Sequence, residues 1–198
     1  MNEDEILSLF STFRKSPTSH YRFLYIINAL AGPMREQLIR ILNVLRGYDP
    51  ELTIETFENR LKNQKIIFIA TQAGFESGLA YNWYIRGPYS PTLSAMLYEA
   101  RDQGLLDFKS RSLPYKRSEF LIGKQIRELV GQTGNEAMEL ELLASVWYLM
   151  PLVNNQYLSP GDVKLIIEYV SKTLRNLKPY SENEIERAVK KILDFMHK

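Results

Sequence analysis

The chain contains no cysteine and only two histidines. Without cysteine there is no disulfide, no thiolate nucleophile and no zinc site built on sulfur. The histidines, His20 and His197, stand near opposite ends of the sequence and form neither an H-E-x-x-H pattern nor any other metal spacing. They also leave the serines without an evident base for a Ser-His-Asp arrangement. Phosphate-cradling patterns of the G-x-x-x-x-G-K-[ST] or G-x-G-x-x-G kind are missing too. So is any run of roughly 18 apolar residues of the kind a membrane span requires. Excess charge of one sign is absent: 25 Lys and Arg against 23 Asp and Glu give a net charge of +2. That excludes a strongly basic nucleic-acid binder on bulk charge while leaving room for a local basic patch. The opening residues M-N-E-D-E are acidic and lead into no long apolar run, unlike a secretory signal. The expectation is a cytoplasmic protein with no cofactor, no metal and no membrane association.

What is present is an ordinary globular composition, 45% hydrophobic and 24% charged over 198 residues, enough to bury a core unaided. Ile6, Leu9, Phe10 and Phe13 predict a helix over 3–14, closed by a break at 16–19. Tyr21, Phe23, Leu24, Ile27 and Leu30 predict a second, which Gly32-Pro33 interrupts. A third carries Leu38, Ile41, Leu42 and Leu45 and takes Gly47 as its C-terminal cap. Thr53 reads as the N-cap of a stripe running to about Gly74, as one helix or two.

The stretch 81–103 changes character most abruptly. Tyr81, Trp83 and Ile85 alternate with polar neighbours, a strand signal. Gly87-Pro88 forms a corner, and Ser90-Pro91 reads as an N-cap followed by proline at the first helical position. Leu93, Met96, Leu97 and Ala100 face inward, and Gly104 ends the helix. A strand at 105–108, a turn at 111–114 and a returning strand at 115–117 follow, with Ser118 capping the next helix. The rest is helical: an apolar helix from Asn135 to Met150, a start at Ser159-Pro160-Gly161-Asp162, and an S-x-x-E capping box at Ser181 and Glu184. Glu136, Glu139 and Glu141 read as a solvated face.

This order, helices leading through a strand to a capped helix and then a hairpin, is that of a winged helix-turn-helix. The fold class expected is mainly α, a winged helix-like centre with a short β-hairpin flanked by N- and C-terminal helices. The regions expected are 1–48 (helical), 49–132 (winged helix-like) and 133–198 (helical, packed on the centre). In such a module Thr92 and Arg101 would face a DNA groove, and Lys109, Arg111, Lys116 and Arg117 on the wing, with Arg86, would meet phosphates. A solvated hairpin rim has the same composition.

Two motifs carry a family resemblance. Arg60, Gln64, Lys65 and Phe68 fit R-x-x-x-Q-K-x-x-[FY]; Tyr81, Trp83, Tyr84, Gly87, Pro88, Tyr89 and Ser90 fit Y-x-[FW]-Y-x-x-G-P-Y-S. With the later L-L-A-S-V-W-Y-L and K-P-x-x-S-x-x-E-I, the chain from about Thr53 onward resembles a widespread, mostly archaeal, uncharacterised family. The same segment resembles Panacea-type antitoxin domains, with G-P-Y-S in place of their usual G-P-V. That second resemblance implies a protein that binds another macromolecule and is not a catalyst.

Read physically, Arg60 and Gln64 lie four apart on one helix face. They serve either to satisfy the backbone of the Gly87-Pro88 corner or, with Lys65 and Arg86, to line a small anionic or polar site. Tyr81, Trp83, Tyr84 and Tyr89 are either a core with wet edges or a stacking surface. The function expected is that of a non-catalytic regulatory or antitoxin-like protein binding DNA or a protein partner, with a homodimer as one form it could take. The alternative is an interaction adaptor working through its C-terminal helices. A third reading, an enzyme using Arg60, Lys65 and Arg86 on a phosphate-bearing substrate, requires a deep pocket around Arg60 and Arg86.

Overall fold

A computed structural model describes residues 17–51, 53–106, 114–153, 163–175, 177–178 and 180–197. The protein is mainly helical, with seven helices and one two-stranded antiparallel sheet among the described residues. It divides into two units, residues 1–37 and 38–198. Within the first, the described residues are helical from Pro17 onward, and Gly32 to Glu36 are exposed. This helix, α1, is Pro17–Tyr48 and contains Pro33 in its interior. The expected breaks at 16–19 and 32–33 are therefore corrected: Pro17 is the first helical residue, where its missing N–H costs nothing, and the helix passes through Pro33. The predicted helix over 3–14 lies outside the described residues.

In the second unit α1 contributes Leu38, Ile41, Leu42, Val44 and Leu45 to the core. Gly47 does not cap it. Both Gly47 and Gly123, in α4 (Arg117–Val130), are buried where two backbones touch. A Cβ on Gly47 would fall 2.0 Å from the Phe120 carbonyl oxygen, and one on Gly123 would fall 2.0 Å from that of Val44. Glycine is needed here for close approach. The α1 C-terminus is closed instead by Arg127, whose Nη1 donates to the Tyr48 carbonyl at 2.7 Å, a cation at the negative end of a helix.

The stripe after Thr53 is one helix, α2 (Phe57–Gln72), and its N-cap is Thr56, which accepts from the Asn59 N–H at 3.1 Å. The strand expected at 81–86 is half of a hairpin: β1 (Asn82–Tyr84) pairs antiparallel with β2 (Gly87–Tyr89), with Trp83 opposite Pro88. Ile85 and Arg86 form its two-residue tip, so Ile85 points to solvent, 90% exposed, rather than continuing the inward alternation. Gly87 has φ +81°, a region side chains disfavour. Ser90 and Pro91 start α3 (Pro91–Asp102) as expected, the Ser90 hydroxyl accepting from the Leu93 N–H.

The wing differs from expectation. Leu105 and Leu106 lie in a turn, residues 107–113 are outside the described residues, and Tyr115 and Lys116 form no strand. Arg117 already belongs to α4, and Lys116, not Ser118, occupies its N-cap position. The reason is visible in Asn43. Its side-chain amide donates to the Pro114 carbonyl (3.0 Å) and accepts from the Lys116 N–H (3.1 Å), taking the place a strand partner would occupy. The described sheet thus precedes α3 instead of following it.

The centre of the second unit is α5 (Glu136–Val153), buried on all sides from Glu139 to Trp147. A helix that is hydrophobic all round belongs inside. It packs against α2, α4, β2, α6 (Val163–Arg175) and α7 (Glu182–Met196). The start read at Ser159 to Asp162 lies outside the described residues. The Ser181–Glu184 capping box is formed, and α7 buries Ile185, Ala188, Val189 and Ile192 at helical spacing. No helix among the described residues is long and apolar enough to cross a membrane.

Candidate functional site

Gln64 and Lys65 are buried on α2, 3% and 1% exposed. Long polar side chains inside a core need partners, and both find them on the strand leaving the corner. The Gln64 amide donates to the Ser90 carbonyl and accepts from the Ser90 N–H, each at 3.0 Å. It also donates to the Ser94 hydroxyl, which accepts in addition from the Tyr89 hydroxyl at 2.9 Å. Lys65 Nζ donates to the Pro88 carbonyl at 2.6 Å. Arg60 takes no part in this bracing. Its Nη1 donates to the Ile54 and Glu55 carbonyls, closing the loop that leads into its own helix. Of the two residues expected to hold the corner, Gln64 does so and Arg60 does not, and Lys65 supplies the second hold.

Beneath the corner sits a charge cluster that the sequence concealed. Glu141, on α5 and 4% exposed, accepts from Lys178 Nζ at 2.5 Å and from Arg86 Nη1 at 3.4 Å. Lys178 Nζ also donates to the Ser145 hydroxyl at 3.4 Å and lies over the Trp83 ring, 5.7 Å from its centroid. A Cβ on Gly87 would meet Ser145 Oγ at 2.6 Å and both lysine Nζ atoms at 3.7 Å. The glycine thus lets the hairpin sit directly on these heads. Lys178 and Arg86 share this carboxylate, and Lys65 feels its charge without touching it. Burial, helped by the nearby Lys178 charge, lowers Lys65 to about 7. Burial also lowers Lys178, against the pull of Glu141. The solvated face expected for Glu136, Glu139 and Glu141 is corrected accordingly. Glu139 is buried with Arg187 and Lys191 (2.6 and 2.8 Å), and Glu136 takes Tyr48 and Lys62 (2.7 and 2.9 Å). The signal that marks Glu141 is an acid flanked by Leu140 and by Leu142, Leu143 and Ala144, at the start of the helix's most apolar stretch.

Above the corner, between α2, α3 and the hairpin tip, lies a cleft of about 600 Å³. Phe57 and Leu61 of α2, Tyr98 of α3, and Tyr84, Ile85 and Tyr89 of the hairpin form its apolar walls. Gln64, Lys65, Ser94 and Gly87 lie at its base. Arg60 and Arg86 line it, and no carboxylate does. Its lip is unusual. Phe57, Tyr84, Ile85 and Tyr98 are 60%, 49%, 90% and 40% exposed, four of the twelve large hydrophobic side chains exposed among the described residues.

The remaining expected site residues fall elsewhere. Tyr81 and Trp83 pack inward, Tyr81 edge-on to Phe68 (5.1 Å) and Trp83 against Tyr148 (5.5 Å). Thr92 is exposed on the first turn of α3. Arg101 is held by Asp102 at 2.8 Å and feels Glu55 as well. Lys116 and Arg117 begin α4, and Lys109 and Arg111 lie outside the described residues. Tyr81, Trp83, Thr92, Arg101, Lys116 and Arg117 do not line the cleft. Among the described residues no cluster of His, Asp and Glu could hold a metal ion. No family model, no curated protein and no solved structure matches the chain.

Proposed function

We propose that the protein is a non-catalytic interaction protein, regulatory or antitoxin-like in role, which docks a protein partner in the cleft between α2, α3 and the hairpin. One observation carries this reading: four exposed apolar side chains, Phe57, Tyr84, Ile85 and Tyr98, surround a single apolar cleft. Scattered surface hydrophobics need no explanation, whereas a contiguous apolar lip around a concavity marks an interaction surface. An enclosed small-molecule site would draw its apolar groups inward instead.

Two further observations favour protein over DNA. A duplex-reading α3 in a winged module would present cations to phosphate, yet its Arg101 is tied to Asp102 with Glu55 nearby. The hairpin that is formed carries Arg86 alone at its tip and touches the cleft. A substrate-binding reading draws support from the presence of a cleft at Arg60 and Arg86. Against it, the polar groups facing the cleft already hold protein partners, and no nucleophile stands beside a base there.

A photo-crosslinking side chain placed at Ile85, with one at Leu165 as an exposed apolar control, tests the proposal in cells. A discrete adduct with another protein at position 85, lost with Phe57→Ser and absent at 165, is expected. Equal labelling at both positions would refute it. So would salt-sensitive retention on duplex DNA that disappears with Lys116→Ser and Arg117→Ser.

A further inference from the structure

The charges around the cleft say what its partner carries. Resting on the docking reading above, we infer that the bound segment is an apolar stretch bearing an aspartate or glutamate side chain. Its carboxylate meets Arg86, with Arg60 on the opposite wall. Two arginines, Arg60 and Arg86, line the cleft together with the buried Lys65, and no acidic side chain does. An apolar segment entering it therefore meets a positive field in a partly desolvated place, where complementary charge fixes register and excludes wrong partners.

Arg86 is the group placed to act. Its side chain is 59% exposed and approaches Glu141 at 3.4 Å, a carboxylate whose charge Lys178 already satisfies at 2.5 Å. A long, half-exposed ion pair of this kind contributes little. The guanidinium can exchange it for a planar two-point contact with an incoming carboxylate. Lys65 adds to the field only indirectly, because its head is buried against Pro88. Arg60 is fixed by two backbone carbonyls and so presents its charge in a set position.

The occupant is a polypeptide rather than a nucleic acid because the apolar walls mix aliphatic side chains with aromatic rings, and two of those rings already meet neighbours. The Tyr84 ring meets Tyr89 edge-on at 5.1 Å, and Arg101 covers the Tyr98 ring at 5.0 Å. Stacked bases would have to compete with these neighbours. Ile85 and Leu61 offer no stacking surface at all. A side-chain carboxylate fits better than a chain terminus, since terminus capture relies on a nest of backbone N–H groups. The Ser90 N–H, next to Tyr89 of the cleft wall, is already bound to Gln64.

The test is a selection of displayed dodecapeptides on the full chain, followed by affinity measurements on synthetic, end-blocked versions. Enriched peptides should place an acidic residue within one helical turn or two strand positions of bulky apolar ones. Arg86→Glu should weaken them roughly tenfold, the effect of losing a charge-assisted contact, and a repeat selection on that variant should enrich basic residues instead. Unfolding curves check that Arg86→Glu and Ile85→Ser remain folded. Peptides that lose affinity with Ile85→Ser but not with Arg86→Glu would overturn the carboxylate inference and leave the docking reading standing. Peptides insensitive to Ile85→Ser, or displacement by single-stranded oligonucleotides, would overturn both. Enrichment only of peptides with a free C-terminus would overturn the side-chain source.

Discussion

The Gln64 side chain and the Ser90 peptide face each other as two strands would, amide to amide, with both bonds at 3.0 Å. A helix residue thereby supplies the hairpin's exit with the neighbour that a two-stranded sheet cannot provide. Removing it strands the buried Ser90 N–H, while the Ser90 carbonyl keeps only its helical bond from the Ser94 N–H at 3.2 Å. Gln64→Leu should therefore destabilise the protein by about 2 kcal/mol, as expected for one unsatisfied buried donor. Gln64→Glu should be nearly as damaging, because its carboxylate repels the Ser90 carbonyl. Urea unfolding of both variants measures this, and a Gln64→Leu protein as stable as the parent would show that the pairing contributes nothing.

The contact between α1 and α4 allows an equally direct check. Gly123→Ala drives a methyl group to 2.0 Å from the Val44 carbonyl oxygen. The helices must part, at a cost of about 3 kcal/mol in line with overpacked sites. Gly134→Ala meets nothing within 4 Å and should stay within about 0.5 kcal/mol of the parent. Thermal melts of the two variants compare them.

Lys65 gives stability a dependence on pH. Its folded value of about 7 lies below its ordinary 10.5, so between these values the unfolded chain binds the extra proton. Stability therefore rises as pH increases above 7, is flat below it, and levels off near the ordinary lysine range. Between pH 7 and 9 the gain should be up to roughly 2 kcal/mol. Lys65→Met should remove most of that slope. Guanidinium titrations at the two pH values read it. Below pH 10 the buried tyrosines Tyr48, Tyr81 and Tyr180, whose values are raised mainly by burial, stay protonated and do not interfere.

The ion pairs of Glu141 are unequal, and substitution should show it. Glu141→Gln leaves the Lys178 ammonium buried without a counter-charge, which should destabilise by about 3 kcal/mol. Arg86→Gln breaks only the 3.4 Å contact of an exposed side chain and should change stability by less than about 1 kcal/mol. Glu141→Gln combined with Lys178→Met should recover much of the loss, and a double-mutant cycle by urea unfolding reports the coupling.

Where the sequence spoke through local chemistry it could be read. Ser90-Pro91 and the Ser181–Glu184 box start helices because their side chains close bonds within one turn. The mainly helical character follows from apolar spacing. The misreadings arose where distant side chains decide the outcome. Asn43 occupies the backbone of 114–116, so those residues make no strand, and nothing near 115 in the sequence reveals a partner at 43. Gly47 resembles a cap locally, but its role is set by Gly123 across the helix crossing. The site was half legible. Gln64, Lys65, Gly87 and Arg86 gather as their shared motif suggested, while Glu141 and Lys178 come from the helical region beyond it and meet the corner only through packing.

The glycine contact also acts as a key against sliding. Rotating α4 by one residue, about 100°, would bring Ile122 or Lys124 to the place where Gly123 now admits the Val44 carbonyl. An insertion inside α4 therefore cannot be absorbed by a shift along α1, whereas a change of length in the connection before Pro114 leaves the two glycines facing each other. Insertions around α4 are constrained by this crossing, and screening them residue by residue across 100–130 would trace its edge.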